Sequence, residues 1–432
     1  MHRFFSIPLP ITPEKCRRTL LYSSQDWHYA CLFDGNGQSA DPYGAYDLIA
    51  AFGKRESPVR DYRRPGKGWH FGFLSYDLKN ELEELRSRKK PGYRFPGHFF
   101  FIPDLVLLLK GDRIKVGYHP ASMNITEAKK RVGKMLKAAG RAKPEQNKTP
   151  RLRSRFTRSE YVQTVKKLQK HILRGDIYEV NFCQEFYSEG KSIDPFEIFL
   201  NLNGISHSPF SAFCRFGDNY LLSSSPERYL AKKGNTLVSQ PIKGTARRGK
   251  TKAEDEKIKS ALRADAKEQS ENVMIVDLVR NDLSRIAKPG TVKVEELFGI
   301  YTFNQVHQMI STVSCRVDRR KTFSNIIRAT FPMGSMTGAP KVSAMKLIEK
   351  YERSRRGLYS GAVGYIAPNG DFDLSVVIRS IIYNAKTKYL SFSVGSAITA
   401  ASDPAKEYDE CLLKAKGMIQ ALGKSGAGSR EC

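Results

Sequence analysis

Apolar and polar residues along this chain of 432 residues follow the periods of both helices and strands. Thr157-Arg-Ser-Glu160 is a capping-box pattern, and apolar residues follow it at three- and four-residue spacing from Val162 to Ile172. This pattern predicts a helix that stops at Gly175. Further helices are predicted at roughly 252–284, 321–330, 340–351 and 403–422.

Short runs of apolar and aromatic residues predict strands toward both ends of the chain. They lie at 69–76, 98–109, 220–223, 362–366, 375–383 and 389–394. Because the predicted helices fall largely between these runs, the pattern indicates an α+β fold rather than a regular alternation of strands and helices.

A polar segment that contains two prolines predicts a linker at residues 139–153, after a helical pattern that ends near Ala138. We therefore expect an N-terminal accessory region over 1–138 and a larger domain over 154–424. The small and polar residues 425–432 are expected to form a disordered tail.

The formal net charge of +28 is compatible with a nucleic acid, an anionic membrane surface or a small anionic substrate as partner. The basic residues are spread along the chain, and no nucleic-acid-binding module is recognisable. This distribution favours a solvated basic surface, with a nucleic-acid-binding protein as the alternative from another class. Without an apolar run of about 18 residues or a signal peptide, we expect a cytoplasmic protein with no membrane partner.

Lys243, within Pro-Ile-Lys-Gly-Thr, and Glu227, in a Ser-Pro-Glu turn sixteen residues earlier, are candidates for an amine nucleophile and a proton carrier. A lysine with its ordinary pKa of about 10.4 is almost fully protonated near neutral pH. A nucleophilic role therefore requires burial or a nearby cation to lower the pKa of Lys243.

Two pairs of glutamates are candidate metal ligands. Glu268 and Glu271 are three residues apart on one predicted helix, and Glu407 and Glu410 are three apart on another. Each pair therefore presents both carboxylates on one helix face. Two such helices facing each other would form an oxygen-rich site suited to Mg²⁺, whereas spacing alone favours solvated helix faces.

Other candidates are less specific. Arg379 lies in a strand-like apolar run, either at an edge or as a buried fork aimed at a carboxylate, and Tyr365 could supply a second donor. The small residues in 331–341 precede a helix and suit backbone donors near an anion. His307 has apolar neighbours, a setting more typical of a core histidine than of a catalyst.

Eight motifs in a fixed order give these candidates a common context. They are SPER, PIKGT, ENVMIVDLVRND, VHQMIST, GSMTGAPK, GAVGY, SVVIRS and EYDECLLKAK. In this order the motifs resemble those of the chorismate-utilising enzymes, over roughly residues 155–422. The resemblance implies an α+β fold with two packed, mainly antiparallel β-sheets flanked by helices, and an active site in a central cleft.

Within this family the chain is most similar to the component I subunits that replace the C4 hydroxyl of chorismate with an amino group. The distinguishing position is Lys243, where related synthases usually carry alanine. The resemblance implies that Lys243 attacks C2 as the C4 hydroxyl leaves, and that ammonia then enters at C4 and expels the lysine. Glu227 would serve as general acid and base.

The resemblance also assigns the binding groups. Mg²⁺, held by Glu271 and Glu410 with Glu268 and Glu407 supporting through water, would bind the ring carboxylate of chorismate. The other carboxylate would be held by Tyr365 and Arg379, with backbone donors at Gly395 and Ser396. The remaining family active-site positions are Thr245, His307, Thr337 and Lys341.

No glutaminase signature is present in the sequence, so we expect ammonia to come from a separate glutamine amidotransferase subunit. The closest alternative is anthranilate synthase component I, which aminates C2 and eliminates pyruvate. Lys243 argues against that alternative because its side chain would occupy the space that ammonia needs there.

Overall fold

The computed structural model describes residues 1–37, 41–54, 68–89, 92–93, 95–138, 149–303 and 306–423. Within these ranges the chain forms 21 β-strands and ten α-helices. The strands are β1 (Arg3–Pro8), β2 (Tyr29–Asp34), β3 (Leu48–Gly53), β4 (His70–Leu74), β5 (His98–Phe101), β6 (Leu105–Lys110), β7 (Arg113–Tyr118), β8 (Arg153–Ser154), β9 (Glu179–Ser188), β10 (Phe210–Phe216), β11 (Asn219–Ser225), β12 (Arg228–Lys233), β13 (Thr236–Gln240), β14 (Ile242–Arg247), β15 (Lys293–Thr302), β16 (Val306–Arg316), β17 (Gly338–Ala339), β18 (Ala362–Ile366), β19 (Phe372–Val376), β20 (Ser380–Asn384) and β21 (Tyr389–Ile398).

The helices border the sheets. They are α1 (Pro13–Ser23), α2 (Lys79–Leu82), α3 (Ile125–Lys137), α4 (Arg158–Leu173), α5 (Pro195–Ser206), α6 (Lys252–Ala264), α7 (Ala266–Ser284), α8 (Phe323–Thr330), α9 (Lys341–Tyr351) and α10 (Pro404–Ala421). The predicted capping box is present at the start of α4, where the side chains of Thr157 and Glu160 each accept the other residue's backbone N–H.

The strands form two large antiparallel sheets, which confirms the predicted α+β fold. The first sheet has the order β1-β7-β6-β3-β2-β10-β11-β20-β21-β9-β17, with β8 beside β9. The second has the order β14-β16-β13-β12-β19-β18-β4-β5, with β15 beside β16. Both sheets combine strands from before and after the predicted linker, since β2 pairs with β10 and β4 pairs with β18.

Two apolar clusters hold the layers together. One contains buried residues of both sheets, such as Phe71 and Phe73 of β4 and Val106 of β6, so the sheets pack face to face. The other joins the first sheet to helices, with Leu20 of α1 and Leu168 of α4 among its buried members. Burial of these side chains supplies the main driving force for this arrangement.

Three predicted elements are split in the structure. The predicted helix 252–284 is two helices, because Asp265 adopts an extended conformation and caps α7 by accepting the N–H groups of Lys267 and Glu268. The predicted strand 98–109 is interrupted between β5 and β6 around Pro103, which has no N–H to donate to a strand ladder. The predicted strand 375–383 contains the end of β19 and the start of β20, which belong to different sheets.

Parts of the predicted domain layout lie outside the described residues. These are positions 139–148 of the predicted linker and the whole predicted tail 425–432. In the described ranges, no helix is long and apolar enough to cross a membrane.

Candidate active site

Lys243 projects from an irregular position in β14. The register between β14 and β16 shifts between Ile242 and Thr245, so the strand bulges at Lys243 and Gly244. Gly244 has a φ of +86°, and a Cβ atom there would lie 3.2 Å from Glu268 Oε2 and 3.3 Å from a side-chain atom of Leu262. Glycine is therefore required at this position, and the bulge re-aims the neighbouring lysine as bulges beside active sites often do.

The amine of Lys243 lies between two carboxylates. Its Nζ atom donates a hydrogen bond to Glu179 Oε1 over 3.2 Å and lies 3.7 Å from Glu271 Oε2. The lysine side chain is 13% exposed and that of Glu179 is 2% exposed. Oε2 of Glu179 is buried without a hydrogen-bond partner among the described residues, so this carboxylate keeps an acceptor position open beside the amine.

The electrostatic setting of Lys243 does not supply the lowered pKa that a nucleophilic amine requires. Burial lowers the pKa of Lys243, as expected, but Glu179 and Glu271 outweigh burial and raise the pKa above its ordinary value. Lys243 is protonated here, and a nucleophilic role requires a proton acceptor.

The four predicted glutamates do come together, on α7 and α10. Burial lowers the pKa of Lys267, and all four glutamates lie close enough to this lysine to oppose burial and raise its pKa. Burial and Glu271 raise the pKa of Glu268. These carboxylates and Glu179 outnumber the lysines that pair with them, which are Lys243, Lys267 and Lys414.

This donor set fits a hard divalent cation in its chemistry, because Mg²⁺ prefers carboxylate oxygens and partial hydration. The side chains are not arranged as ligands, however. Among the described residues, no group of three or more His, Cys, Asp or Glu side chains is placed so that it could hold a metal ion. Lysine amines instead lie against Glu271 and Glu410, at 3.7 Å and 2.5 Å.

Glu227 is buried and precedes β12. Its Oε1 atom accepts a hydrogen bond from Ser335 Oγ over 2.7 Å. Burial raises the pKa of Glu227 to about 7, against smaller opposing effects of Ser335 and Lys243. A carboxyl group with a pKa near neutrality can both donate and accept a proton, which is the property that a general acid and base requires.

Buried polar contacts fix the segment 331–340, which carries Ser335. Lys341 Nζ donates to Asp282 Oδ2 over 2.6 Å and to the Thr330 carbonyl over 3.3 Å. Arg356 donates to the carbonyl oxygen of Met336 over 2.6 Å. The predicted substrate-binding residue Lys341 thus anchors this segment to α7.

Thr337, another predicted substrate-binding residue, is fully buried in the same segment. Its hydroxyl donates within the turn, to the carbonyl oxygens of Met333 and Gly334 over 3.2 Å each. The carbonyl of Thr337 accepts the N–H of Asn181 over 2.8 Å, which ties the segment to β9. The hydroxyl of Thr337 is therefore used within its own segment and is not free to donate to a substrate.

Arg379 lies where the chain crosses from the second sheet to the first, between β19 and β20. Its φ is +51°, a left-handed conformation that is unusual for a residue other than glycine and is common at functional sites. Its Nη1 donates to the Lys414 carbonyl over 3.3 Å. Burial lowers the pKa of Arg379, while Tyr359 and Glu410 raise it, so these two groups are its neighbours.

Tyr365 is placed elsewhere. Its ring packs with those of Phe33, Trp69 and Phe71. Burial raises its pKa, and Asp373 is the charged group that contributes most to this shift. The structure therefore does not bring Tyr365 beside Arg379, and the tyrosine next to this arginine is Tyr359.

Gly395 and Ser396 lie on β21, which pairs with β9. A Cβ atom on Gly395 would lie 2.4 Å from Cys183 Sγ and 2.7 Å from Asn181 Oδ1, so the close approach of the two strands requires glycine. The carbonyl of Gly395 accepts a hydrogen bond from Lys414 Nζ over 3.0 Å. The hydroxyl of Ser396 lowers the pKa of Glu407 by hydrogen bonding, against the larger effect of burial.

His307 and Thr245 differ in exposure. His307 is fully buried, with Nδ1 3.0 Å from Thr302 Oγ1 and Nε2 2.9 Å from Asp255 Oδ1. Both ring nitrogens are thus engaged, as in a structural histidine. Thr245 is exposed and pairs with Gln308 across the strands.

Sequence reasoning missed three residues of this site, namely Glu179, Ser335 and Tyr359. Each contacts or electrostatically influences a predicted residue, but none has a spacing signal of its own. Glu179 lies near Lys243 because β9 and β14, which belong to different sheets, face each other, and Tyr359 lies near Arg379 because β18 and β19 pair, so the fold was needed to find them.

Comparison with known proteins gives a consistent result. The protein-family model described as chorismate binding enzyme matches residues 15–420. Aminodeoxychorismate synthase component 1 of Escherichia coli (strain K12) is 34% identical over 369 residues, which cover 85% of this chain and 80% of that protein. Anthranilate synthase component 1 of Aquifex aeolicus (strain VF5) is 31% identical over 385 residues, which cover 85% of this chain and 77% of that protein.

A solved structure agrees. Anthranilate synthase component I from Streptococcus pneumoniae TIGR4 superposes with a TM-score of 0.73 and 25% identity, over 96% of this chain and 92% of that one. The fold and these relatives therefore define an enzyme that acts on chorismate. The chain belongs to the chorismate-binding enzyme family, which confirms the resemblance inferred from the eight motifs.

Proposed function

We propose that this enzyme is a component I that converts chorismate and ammonia into 4-amino-4-deoxychorismate, on the route to para-aminobenzoate and folate. The observation that carries the proposal is the position of the Lys243 amine between Glu179 and Glu271, on a side chain that is only 13% exposed. An ordinary surface lysine does not sit in a bulge whose neighbouring glycine is required. The relatives named aminodeoxychorismate synthase component 1 support the same activity.

The first step forms a bond between Lys243 Nζ and C2 of chorismate. The ring double bonds shift, the C4–O bond breaks, and Glu227 donates the proton with which the hydroxyl leaves as water. Before the attack the lysine must lose one proton, and Glu179 is the nearest acceptor, 3.2 Å from Nζ. Burial raises the pKa of Glu227 to about 7, so a large fraction of this carboxyl group is protonated near neutral pH.

The second step reverses the shift of the double bonds. Ammonia forms the bond to C4, the C2–N bond to Lys243 breaks, and Glu227, now ionised, accepts the surplus proton of the incoming nitrogen. The released amine of Lys243 takes back its proton from Glu179. All three side chains are then in their starting states, and the cycle has consumed one chorismate and one ammonia and released one water.

Chorismate carries two carboxylates, and the site offers different partners for each. We propose that Mg²⁺ is held by Glu271 and Glu410, with Glu268 and Glu407 supporting through water. When bound, the ion supplies positive charge for the ring carboxylate. Arg379 is half-buried, has Tyr359 as a neighbour, and would bind the enolpyruvyl carboxylate through two N–H groups of its guanidinium.

We further propose a glutamine amidotransferase subunit as the source of ammonia and a cytoplasmic location. The term component 1 in the names of the relatives supports a partner subunit. Both remain predictions.

A second candidate is anthranilate synthase component I, because relatives with that name match nearly as well. A product assay separates the two functions. The purified chain is incubated with chorismate, Mg²⁺ and ammonium, and the products are identified by liquid chromatography and mass spectrometry. We expect 4-amino-4-deoxychorismate, whereas fluorescent anthranilate as the main product would identify the second candidate.

A further inference from the structure

Glu227 and Arg228 are neighbours in the chain but face opposite ways at the start of β12, as successive residues of a strand do. The carboxyl group of Glu227 accepts a hydrogen bond from the hydroxyl of Ser335. Arg228 points to the other side, into the wall of a cavity of about 340 Å³ that Asp41 and Asp373 also line. One side of this strand end thus carries the proposed proton carrier, and the other carries a buried guanidinium.

The guanidinium of Arg228 is fully engaged. Nε and Nη2 donate to the two oxygens of Asp373 over 2.9 and 3.0 Å, and Nη1 and Nη2 donate to the two oxygens of Asp41 over 2.9 and 2.5 Å. The fifth N–H, on Nη1, donates to Gln240 over 2.6 Å. A planar fork held by two bidentate carboxylates has a single orientation, and its side chain is 1% exposed.

The backbone alone holds this strand end weakly. The register of β12 shifts directly after Arg228 against both of its neighbours, β13 and β19. Before Arg228, the carbonyl of Glu227 accepts one N–H, from Val376 over 3.0 Å, and its N–H donates to Ser225 Oγ over 3.3 Å. A side-chain anchor one residue away is therefore well placed to fix the backbone direction of Glu227.

We propose that Arg228, clamped by Asp41 and Asp373, is a positioning residue for Glu227. The clamp holds the carboxyl of Glu227 at Ser335 and toward the amine of Lys243, the two groups that act on it. Asp41 belongs to the N-terminal region, so this region contributes to the geometry of the catalytic step. The inference rests on the proposed function, because it assumes that Glu227 carries the proton.

Asp41→Asn is the main test variant. The carboxylate of Asp41 is 25% exposed, so the change is milder than removal of the buried arginine, and Asp373→Asn is the second variant. Asparagine keeps the size of the side chain but cannot accept both guanidinium bonds. Asp371→Asn is the matched control, because Asp371 pairs with Lys232 at 3.6 Å at the other end of the same two strands.

Amination is measured as kcat and as KM for chorismate, at a temperature where circular dichroism shows each variant folded. We expect kcat to fall at least tenfold in Asp41→Asn and Asp373→Asn with KM within twofold, while the control stays within twofold in both. When Asp41→Asn is added to Glu227→Gln, we expect kcat to fall by less than a further twofold. Both changes act through the carboxyl group of Glu227, which the background variant has already removed.

An unchanged kcat in both variants would overturn the inference. The inference would also fail if Asp41→Asn lowered kcat by the same factor in the Glu227→Gln background as in the wild type, or if KM rose by the factor by which kcat fell. Either result indicates a purely structural role. If the unaltered enzyme does not aminate chorismate, the proposed function itself fails, and that outcome is visible before any variant is compared.

Discussion

Lys243 Nζ donates a hydrogen bond to Glu179 Oε1 over 3.2 Å, and this contact joins β14 of the second sheet to β9 of the first. The carboxylate of Glu179 has its other oxygen buried and without a hydrogen-bond partner in the part of the chain that the structure describes. A base beside the amine is what a protonated lysine needs before it can attack chorismate. The packing of the two sheets therefore brings the proposed nucleophile and its proposed proton acceptor together.

Glu179→Gln tests this role. Glutamine keeps the size and one acceptor oxygen of the side chain but is not a base, so we expect kcat for amination to fall about 100-fold, with KM for chorismate changed little. Steady-state kinetics check the result. Glu189→Gln is the control, because Glu189 is 60% exposed just after the same strand. A Glu179→Gln enzyme with full activity would show that this residue only spaces the lysine.

Glu227→Gln should make stability less sensitive to pH. The folded protein holds the pKa of Glu227 at about 7, above its ordinary 4.5. As pH rises from 4.5 to 7 the unfolded chain therefore loses a proton that the folded chain retains, and the wild type loses stability over this window. Glutamine does not ionise, so between pH 5 and pH 8 the variant should gain about 2 to 3 kcal/mol relative to the wild type.

Urea denaturation at the two pH values measures this difference. The same variant should be strongly impaired in amination, since it cannot move a proton. Equal stability differences at pH 5 and pH 8 would contradict the raised pKa of Glu227.

Removal of divalent metal should abolish amination, and added Mg²⁺ should restore it. In Glu271→Gln we expect the Mg²⁺ concentration for half-maximal activity to rise at least about tenfold, because one charged ligand is lost. Glu256→Gln is the control, since Glu256 is 68% exposed on α6 and pairs with Lys259. Full activity of the chelator-treated enzyme would remove the metal from the account.

Lys341→Met should destabilise the fold by about 3 kcal/mol or more, because it leaves the buried carboxylate of Asp282 without its partner. Burial already raises the pKa of Asp282 to about 6, against the opposing effect of Lys341. Urea denaturation at pH 8 measures the loss. Lys346→Met, on an exposed position of α9, is expected to change the free energy of unfolding by less than about 0.5 kcal/mol.

Local sequence patterns located most of the helices but fewer than half of the strands, because capping boxes and apolar periods act over a few residues whereas strand pairing does not. They failed where a single residue ends an element for a tertiary reason. Arg379 lies within a continuous apolar run, yet the run crosses between sheets at this residue, and only the packing of both sheets makes that crossing favourable. Asp265 likewise interrupts what periodicity presents as one helix.

The candidate site was predictable where chemistry follows from spacing. Spacing placed the glutamates of α7 and α10 in pairs on one helix face, the family resemblance made them ligand candidates, and in the fold all four lie close enough to Lys267 to raise its pKa. Tyr365 and Tyr359 lie six residues apart, and the motif alone led to Tyr365, whereas the structure places Tyr359 beside Arg379. The electrostatic state of Lys243 depends on Glu179, a residue of another sheet, and no local pattern reports that contact.

Intact-mass spectrometry of the enzyme mixed with chorismate and Mg²⁺, without ammonia, tests most directly whether Lys243 is the nucleophile. We predict a covalent species heavier than the protein by chorismate less one water, with the modification on Lys243 in peptide maps and lost when ammonium is added. Lys243→Ala should form no such species, whereas Lys232→Ala should form it as the wild type does. Amination by Lys243→Ala at the wild-type rate, with no adduct in either protein, would contradict the account.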